Sequence, residues 1–249
     1  MSLIACCLDE IRPSTVTYTM REALSQVLSA IFSTRCDDPV RGVRDRARRT
    51  VREYMMNDDE ILAEFRSADA LLEGHFILSS GLRSPRYLQC ARVLMNPRRA
   101  GRLATELVSR IPADLKSQIT AVVSPAMGGV IAGQEVARAL GVDAMFVERP
   151  TGTFELRRGF RLEPGQQVLM MEDVVTTGLS SREAIAAIEA AGGKVIAAAS
   201  LVDRSGGAAQ FDVPFFPLIR LDVPTYDPDS LPPELEAIPA IKPGSRAAA

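Results

Sequence analysis

Two carboxylates stand side by side at Glu172 and Asp173, directly after the apolar residues Val168 to Met171. Val174 and Val175 follow, then Thr176, Thr177, Gly178, Leu179 and Ser180. A carboxylate accepts hydrogen bonds from a sugar diol strongly. Hydroxyls and turn amides at a helix start, where the helix end carries partial positive charge, favour a phosphate. Acids repel phosphate, so the combination suits a ligand with neutral hydroxyls on one side and an anion on the other. A ribose phosphate has that form.

The elements that must carry these groups follow from local pattern. Val168 to Met171 reads as a short buried strand. Ser180 and Glu183 have capping-box spacing, which predicts a helix from about Ser181 to Ala191 that stops at Gly192-Gly193. The plainer alternative is an ordinary strand–turn–helix with two solvated acids. A lysine-bearing Walker loop and a Gly-x-Gly-x-x-Gly after a strand are both missing.

Other strand–helix units surround this one. Ile119 to Val123 reads as a strand, Ser124 to Gly129 as a turn, and Val130 to Leu140 as a helix. The paired glycines Gly128 and Gly129 let backbone approach a bulky anion. Ala144 to Val147 and Lys194 to Val202 are further strands, and Pro97 to Ile111 is a helix with Ala100, Leu103, Leu107 and Val108 inward. Pro150 to Gln167 reads as a long mobile loop carrying Arg157, Arg158 and Arg161. Earlier in the chain, Asp58 to Leu72 has an amphipathic helical pattern ended by Gly74, and a hairpin follows around Ser79-Ser80-Gly81. Phe215 to Leu221 is expected to be a strand that returns to this hairpin. The proline-rich tail after it is expected to be extended or disordered. Strands alternating with helices imply a parallel sheet with helices on both faces and ligands at the strands' carboxyl ends.

Composition limits the function classes. The 249 residues are 47% hydrophobic and 24% charged, with a net charge of -2. That is an ordinary globular composition without a basic field for nucleic acid. Tryptophan is absent and aromatics are few, which disfavours a stacking platform for single strands. Cys6, Cys7, Cys36 and Cys90 match no zinc spacing, and the single histidine, His75, reads as structural. No metal-ligating set is predicted. A lipoprotein box is rejected at Leu3 to Cys6, because the basic start and the preceding apolar run are missing. No run reaches the roughly 18 apolar residues of a membrane helix, and a reduced cytoplasmic location is expected. Arg35, Arg41, Arg44, Arg46, Arg48, Arg49 and Arg52 crowd an N-terminal segment that reads as a solvated, partly disordered extension. A chain starting at Met55 or Met56 would still hold the whole predicted domain.

The run from Val168 to Ser181 resembles the ribose-phosphate loop of the type I phosphoribosyltransferases. The pattern Gly-His-Phe-x-Leu-x-Ser-Gly-x-x-Ser-Pro-x-Tyr, Gly74 to Tyr87, resembles the hood of the orotate phosphoribosyltransferases. The resemblance spans about residues 57 to 225. It implies a type I phosphoribosyltransferase fold, α/β, with a twisted mainly parallel sheet, helices on both faces and a small α/β hood at about 57–95. The implied organisation is an extension over 1–53, a phosphoribosyltransferase domain over 54–225 and a tail over 226–249.

The implied reaction joins orotate to the phosphoribosyl group of 5-phosphoribosyl 1-pyrophosphate (PRPP), giving orotidine 5'-monophosphate and pyrophosphate in UMP biosynthesis. Glu172 and Asp173 are implied to hold the ribose hydroxyls, and Val174, Val175, Thr176, Thr177, Gly178, Leu179 and Ser180 to line the PRPP site. Arg149 is implied to reach pyrophosphate, usually in a neighbouring subunit's site. Arg204 and Thr176 are implied to face orotate. Mg²⁺ is the implied cofactor, bound mainly through the substrate's oxygens, and a homodimer that shares a loop is the implied assembly. In the family the turn at Ser124 to Gly129 holds pyrophosphate and often has a strained peptide after Pro-Ala. The sequence departs from many members in having Ser79 and Gly128 where they carry lysine, and arginines in the long loop where they carry lysines and a histidine. Other readings stay open: transfer to a purine base, an RNA-binding regulator on the same fold, or a catalytically silent subunit.

Overall fold

A computed structural model gives the fold of residues 55–78 and 80–243. The arginine-rich segment, Cys6, Cys7, Cys36 and Ser79 lie outside these residues. In chain order the elements are α1 (Asp58–Ser67), β1 (Leu71–Ile77), β2 (Arg83–Leu88), α2 (Cys90–Leu94), α3 (Pro97–Arg110) and α4 (Ala113–Lys116). Then come β3 (Ala121–Pro125), α5 (Gly129–Leu140), β4 (Asp143–Glu148), β5 (Glu155–Leu156) and β6 (Gln167–Val175). The last are α6 (Leu179–Ala190), β7 (Lys194–Asp203), β8 (Phe215–Arg220) and α7 (Pro233–Glu236).

The main sheet has the order β5-β4-β3-β6-β7-β8. Every pairing is parallel except that of β4 with β5. The chain winds outward to β4 on one side of β3 and through β6, β7 and β8 on the other. The winding therefore reverses between β3 and β6, and a crevice opens there at the carboxyl ends of the strands.

Strand β6 is buried on both faces, as its unbroken apolar run requires. Leu169 and Met171 join the core under α3 and α5, while Val168 and Met170 join the core under α6. Small residues let α5 lie close to the sheet. A Cβ on Gly133 would fall 1.8 Å from Ser124 Oγ. At the far edge, β8 contains Pro217, which an edge strand tolerates because one side needs no amide donor.

Several elements differ from their sequence patterns. Helix α1 ends at Ser67, and Leu71 and Leu72 belong to β1. The break comes at Asp69, in the left-handed region at φ 49°, so Gly74 lies inside a strand and does not cap the helix. The 150–167 loop contains β5, which pairs with β4 through Val147 and Glu148. Strand β8 joins the main sheet beside β7, because its apolar face completes the core there; it is not part of the hood.

The tail after β8 reaches the hood instead. The Arg83 amide donates to Tyr226 O and the Tyr226 amide to Arg83 O, both at 2.8 Å. On the other edge of the hairpin, the Ile77 amide donates to Ile241 O and the Ile241 amide to His75 O, both at 2.8 Å. Ser84 Oγ donates to Pro224 O at 3.0 Å, and His75 Nδ1 lies 2.9 Å from Ile238 O. Leu235 of α7 is buried. Of the two expectations for the tail, the extended one holds for the described residues, apart from α7, because backbone pairing along both edges of the hood orders it. A chain ending after Val223 should exchange the amides of β1 and β2 faster, with those of β6 and β7 unchanged, in hydrogen-exchange measurements.

Candidate active site

The pleat of β6 does not stop at Met171. The strand runs on to Val175, paired with β7 as far as Val175–Asp203. Glu172 and Asp173 therefore sit within a strand, where successive side chains leave on opposite faces. Glu172 is 8% exposed and faces α6, where Ser181 Oγ donates to its Oε2. Asp173 faces the turn between β3 and α5. A Cβ on Gly128 would lie 2.7 and 2.8 Å from its carboxylate oxygens. Backbone at position 128 thus lies directly against this acid. A lysine there, as in many members of the family, would need Asp173 to move.

Burial governs the charge of both acids. It raises Glu172 to about 7, opposed by the hydroxyl bonds from Ser181 and Ser180 and by Arg149, while Asp173 raises it further. Burial also raises Asp173, whose carboxylate is partly compensated by the amides of Val174 and of Asp173 itself. Cys90 lies beneath, with Sγ 3.9 Å from Asp173 O. Its thiol is pushed well up by burial and by Asp173, and Arg204 opposes the shift.

The turn after β6 forms at the expected residues, with one correction. Thr176 and Thr177 are exposed, and Gly178 turns the chain at φ 73°. Helix α6 begins at Leu179, so Ser180 lies inside it rather than at its cap. Gly178 offers no side-chain cap, Thr177 Oγ1 accepts the Leu179 amide at 3.3 Å, and Glu183 is occupied by Arg149. The other first-turn amides lie at the positive end of the helix dipole, which favours an anion.

Arg149 follows β4. Its guanidinium binds Glu183, lies 3.5 Å from Ser180 Oγ and stacks 4.1 Å from the centroid of Phe154. The structure thus places it beside the first turn of α6 in its own chain. Arg158 forms two 2.8 Å contacts with Glu148. Arg157 and Arg161 are exposed on the same loop. In the β3–α5 turn, the Ala126–Met127 peptide is cis.

Arg204 completes the rim. Its amide donates to Val175 O at 2.8 Å, which ties the residue to the end of β6. Its Nε is buried without a partner, and burial lowers its proton affinity. Next to it, Asp203 is 3% exposed and accepts the Ser205 amide at 2.8 Å. The structure therefore gathers Glu172, Asp173, the turn from Thr176 to Ser180, Arg149 and Arg204 around one end of β6.

Ser181, the Gly128–Asp173 contact, Cys90 and Asp203 were not visible as site residues. Each depends on packing between elements distant in sequence, except Ser181. That residue is signalled by a small hydroxyl type on the first turn of the helix, once β6 is known to continue. A groove of about 570 Å³ lies between hood and tail, lined by Glu73, Arg86, Asp222, Tyr226 and Leu235 among others, and none of the gathered residues lines it.

A carboxyl raised above its unfolded value binds protons more tightly in the native state, so its stability contribution falls as pH rises toward the native value. For Glu172 that window runs from about 4.5 to about 7. Glu172→Gln should therefore melt near the parent at pH 4.5 and above it at pH 8. The gap should be about 1–3 kcal/mol in thermal denaturation.

The chain is similar to known proteins over this domain. The phosphoribosyl transferase domain family matches residues 94–215. The orotate phosphoribosyltransferase of Rhizorhabdus wittichii is 77% identical over 193 residues, covering 78% of this chain and 98% of the relative. That of Novosphingobium aromaticivorans is 72% identical over 192 residues, covering 77% and 99%. Among solved structures, the orotate phosphoribosyltransferase of Aeropyrum pernix superposes with a TM-score of 0.54 at 27% identity. It covers 63% of this chain and 91% of that one. With a curated relative this similar over nearly its full length, and the predicted sheet and hood both present, the chain belongs to the orotate phosphoribosyltransferase family.

Proposed function

We infer that this protein transfers the 5-phosphoribosyl group of PRPP to orotate, giving orotidine 5'-monophosphate and pyrophosphate, as its family membership implies. The observation that carries the site is the end of β6. There the buried Glu172, the half-buried Asp173, the start of α6 and an unpartnered guanidinium nitrogen of Arg204 come together.

In this reading Glu172 and Asp173 accept the ribose hydroxyls. Their negative charge also favours the positive charge that develops on the sugar as pyrophosphate leaves. Thr176, Thr177, Gly178 and Ser180 hold the 5'-phosphate through hydroxyls and amides, and Val174, Val175 and Leu179 form the walls of that turn. Arg204 offers its buried Nε to the orotate carboxylate, with Thr176 near the base. The ring nitrogen of orotate attacks the anomeric carbon and gives up its proton to solvent, while the bond to pyrophosphate breaks and both electrons leave with pyrophosphate. No nucleophile from the protein is needed.

Arg149 would stabilise the leaving group, which requires that it part from Glu183 or that a second subunit present it. We favour a homodimer that shares this loop. Met127 and Ile131 support it as large apolar side chains exposed where α5 begins. Among the described residues no three His, Cys, Asp or Glu gather to hold a metal. Mg²⁺ fits this donor set if it arrives on PRPP, held mainly by substrate oxygens, where it would neutralise pyrophosphate. Residues 54–225 would carry the reaction, with the tail from 226 bracing the hood. No described helix is long and apolar enough to cross a membrane, and we place the protein in the cytoplasm.

The purified protein with Mg²⁺ and PRPP should release pyrophosphate with orotate and not with hypoxanthine, xanthine or adenine. Turnover of a purine instead would overturn the assignment, and silence with every base would point to a subunit without catalysis. Asp173→Asn should keep the native circular dichroism spectrum and lose about 10²- to 10³-fold in kcat/KM. Wild-type turnover by that variant would remove Asp173 from the site.

A further inference from the structure

We propose that Ser181 is a positioning residue for phosphoribosyl transfer, holding the Glu172 carboxylate in its charged form and in one orientation toward the ribose hydroxyls. The proposal rests on the reading of Glu172 as a ribose ligand.

Ser181 is 0% exposed and Glu172 is 8% exposed. A side chain so covered does not reach substrate, so any effect of Ser181 passes through the group it touches. That group is Glu172 Oε2, to which Ser181 Oγ donates. The serine does not serve its own helix. The cap position of α6 is Gly178, and no side-chain cap bond is made there. Its hydroxyl crosses from the first turn of α6 to the end of β6.

A carboxylate taken out of water binds a proton unless donors replace the water. The groups that bear on Glu172 can be named among the described residues. Asp173 on the same strand favours the protonated form, and Arg149 at the end of β4 favours the ionised one. On α6, Ser180 and Ser181 both donate. Arg182 turns to Thr177 O at 3.3 Å, and Glu183 is occupied by Arg149. On β7 the residue opposite Glu172 is the uncharged Ser200. Cys90 and Arg204 act on the far side, beside Asp173. The Ser181 bond is therefore the buried contact that keeps Glu172 available as an acceptor near neutral pH. It also fixes Oε2, and with it the plane of the carboxylate.

The test is the pH dependence of kcat/KM for PRPP between pH 5.5 and 9 for the parent, Ser181→Ala and Ser181→Thr. Loss of the donor raises the proton affinity of Glu172. The acid limb of Ser181→Ala should move up by about one pH unit, a loss of about tenfold at pH 6. At pH 8.5 the loss should be under about threefold, with KM for orotate unchanged. Threonine keeps the hydroxyl and should restore the parent limb. Substrate ionisation is common to all three proteins and cancels in the comparison. An unmoved limb, or an equal loss at every pH, would overturn the proposal.

If Ser181→Ala does not fold, Ser181→Cys replaces it, with Glu172 titrated directly by carbon NMR on glutamate-labelled protein without substrate. An upward shift of its midpoint supports the proposal, and an unchanged midpoint rejects it. That titration also separates the two ideas. A parent without orotate-dependent pyrophosphate release refutes the functional reading, and a static midpoint refutes the role of Ser181.

Discussion

The pleat of β6 continues two residues into the acidic pair and two beyond it. This one constraint divides the site. An unbroken strand sends Glu172 toward α6 and Asp173 toward the β3–α5 turn, so each acid acquires its own environment. Glu172 is desolvated against Ser181 and sits near neutrality in its proton affinity. Asp173 is pressed against the backbone of Gly128 and draws amides from its own strand. Two adjacent carboxylates in a loop would have shared one solvated environment. Here they differ, and the ribose they are read to bind would bridge the strand's tip.

That continuation depends on β7. Pairing extends to Val175–Asp203, which also brings Arg204 and the Asp203 turn to the same level as the turn after β6. The positions of Glu172, Asp173 and Arg204 are therefore set by one ladder. The reversal of strand order between β3 and β6 opens the crevice above them. Close packing of α5 on β3, permitted by Gly133 and Ser124, holds the opposite wall.

The hood illustrates a different kind of support. A two-stranded hairpin alone is marginal in water. Here α1 packs against it, and the tail pairs with both of its edges through Tyr226 and Ile241. Burial of Leu235 anchors the tail further. The ends of the described chain thus meet at the hood, so this hairpin rests on contacts between residues about 140 to 160 positions apart.

The sequence by itself determined the chemistry of the ligand and the class of the fold. The apolar run before Glu172, the Thr-Thr-Gly turn and the strand–helix alternation are local signals, and local sterics and hydrogen bonding act on them directly. The helix over Pro97–Arg110, the strand before Gly128 and the hairpin around Gly81 were legible for the same reason. Tertiary structure decided where β6 ends, which face each acid takes, that Ser180 lies within α6, that Arg149 binds Glu183, and that β8 and the tail part company. These outcomes depend on neighbours far along the chain. No periodicity encodes the partner of a strand's last residues, and a charged side chain takes its environment from whichever element is packed against it.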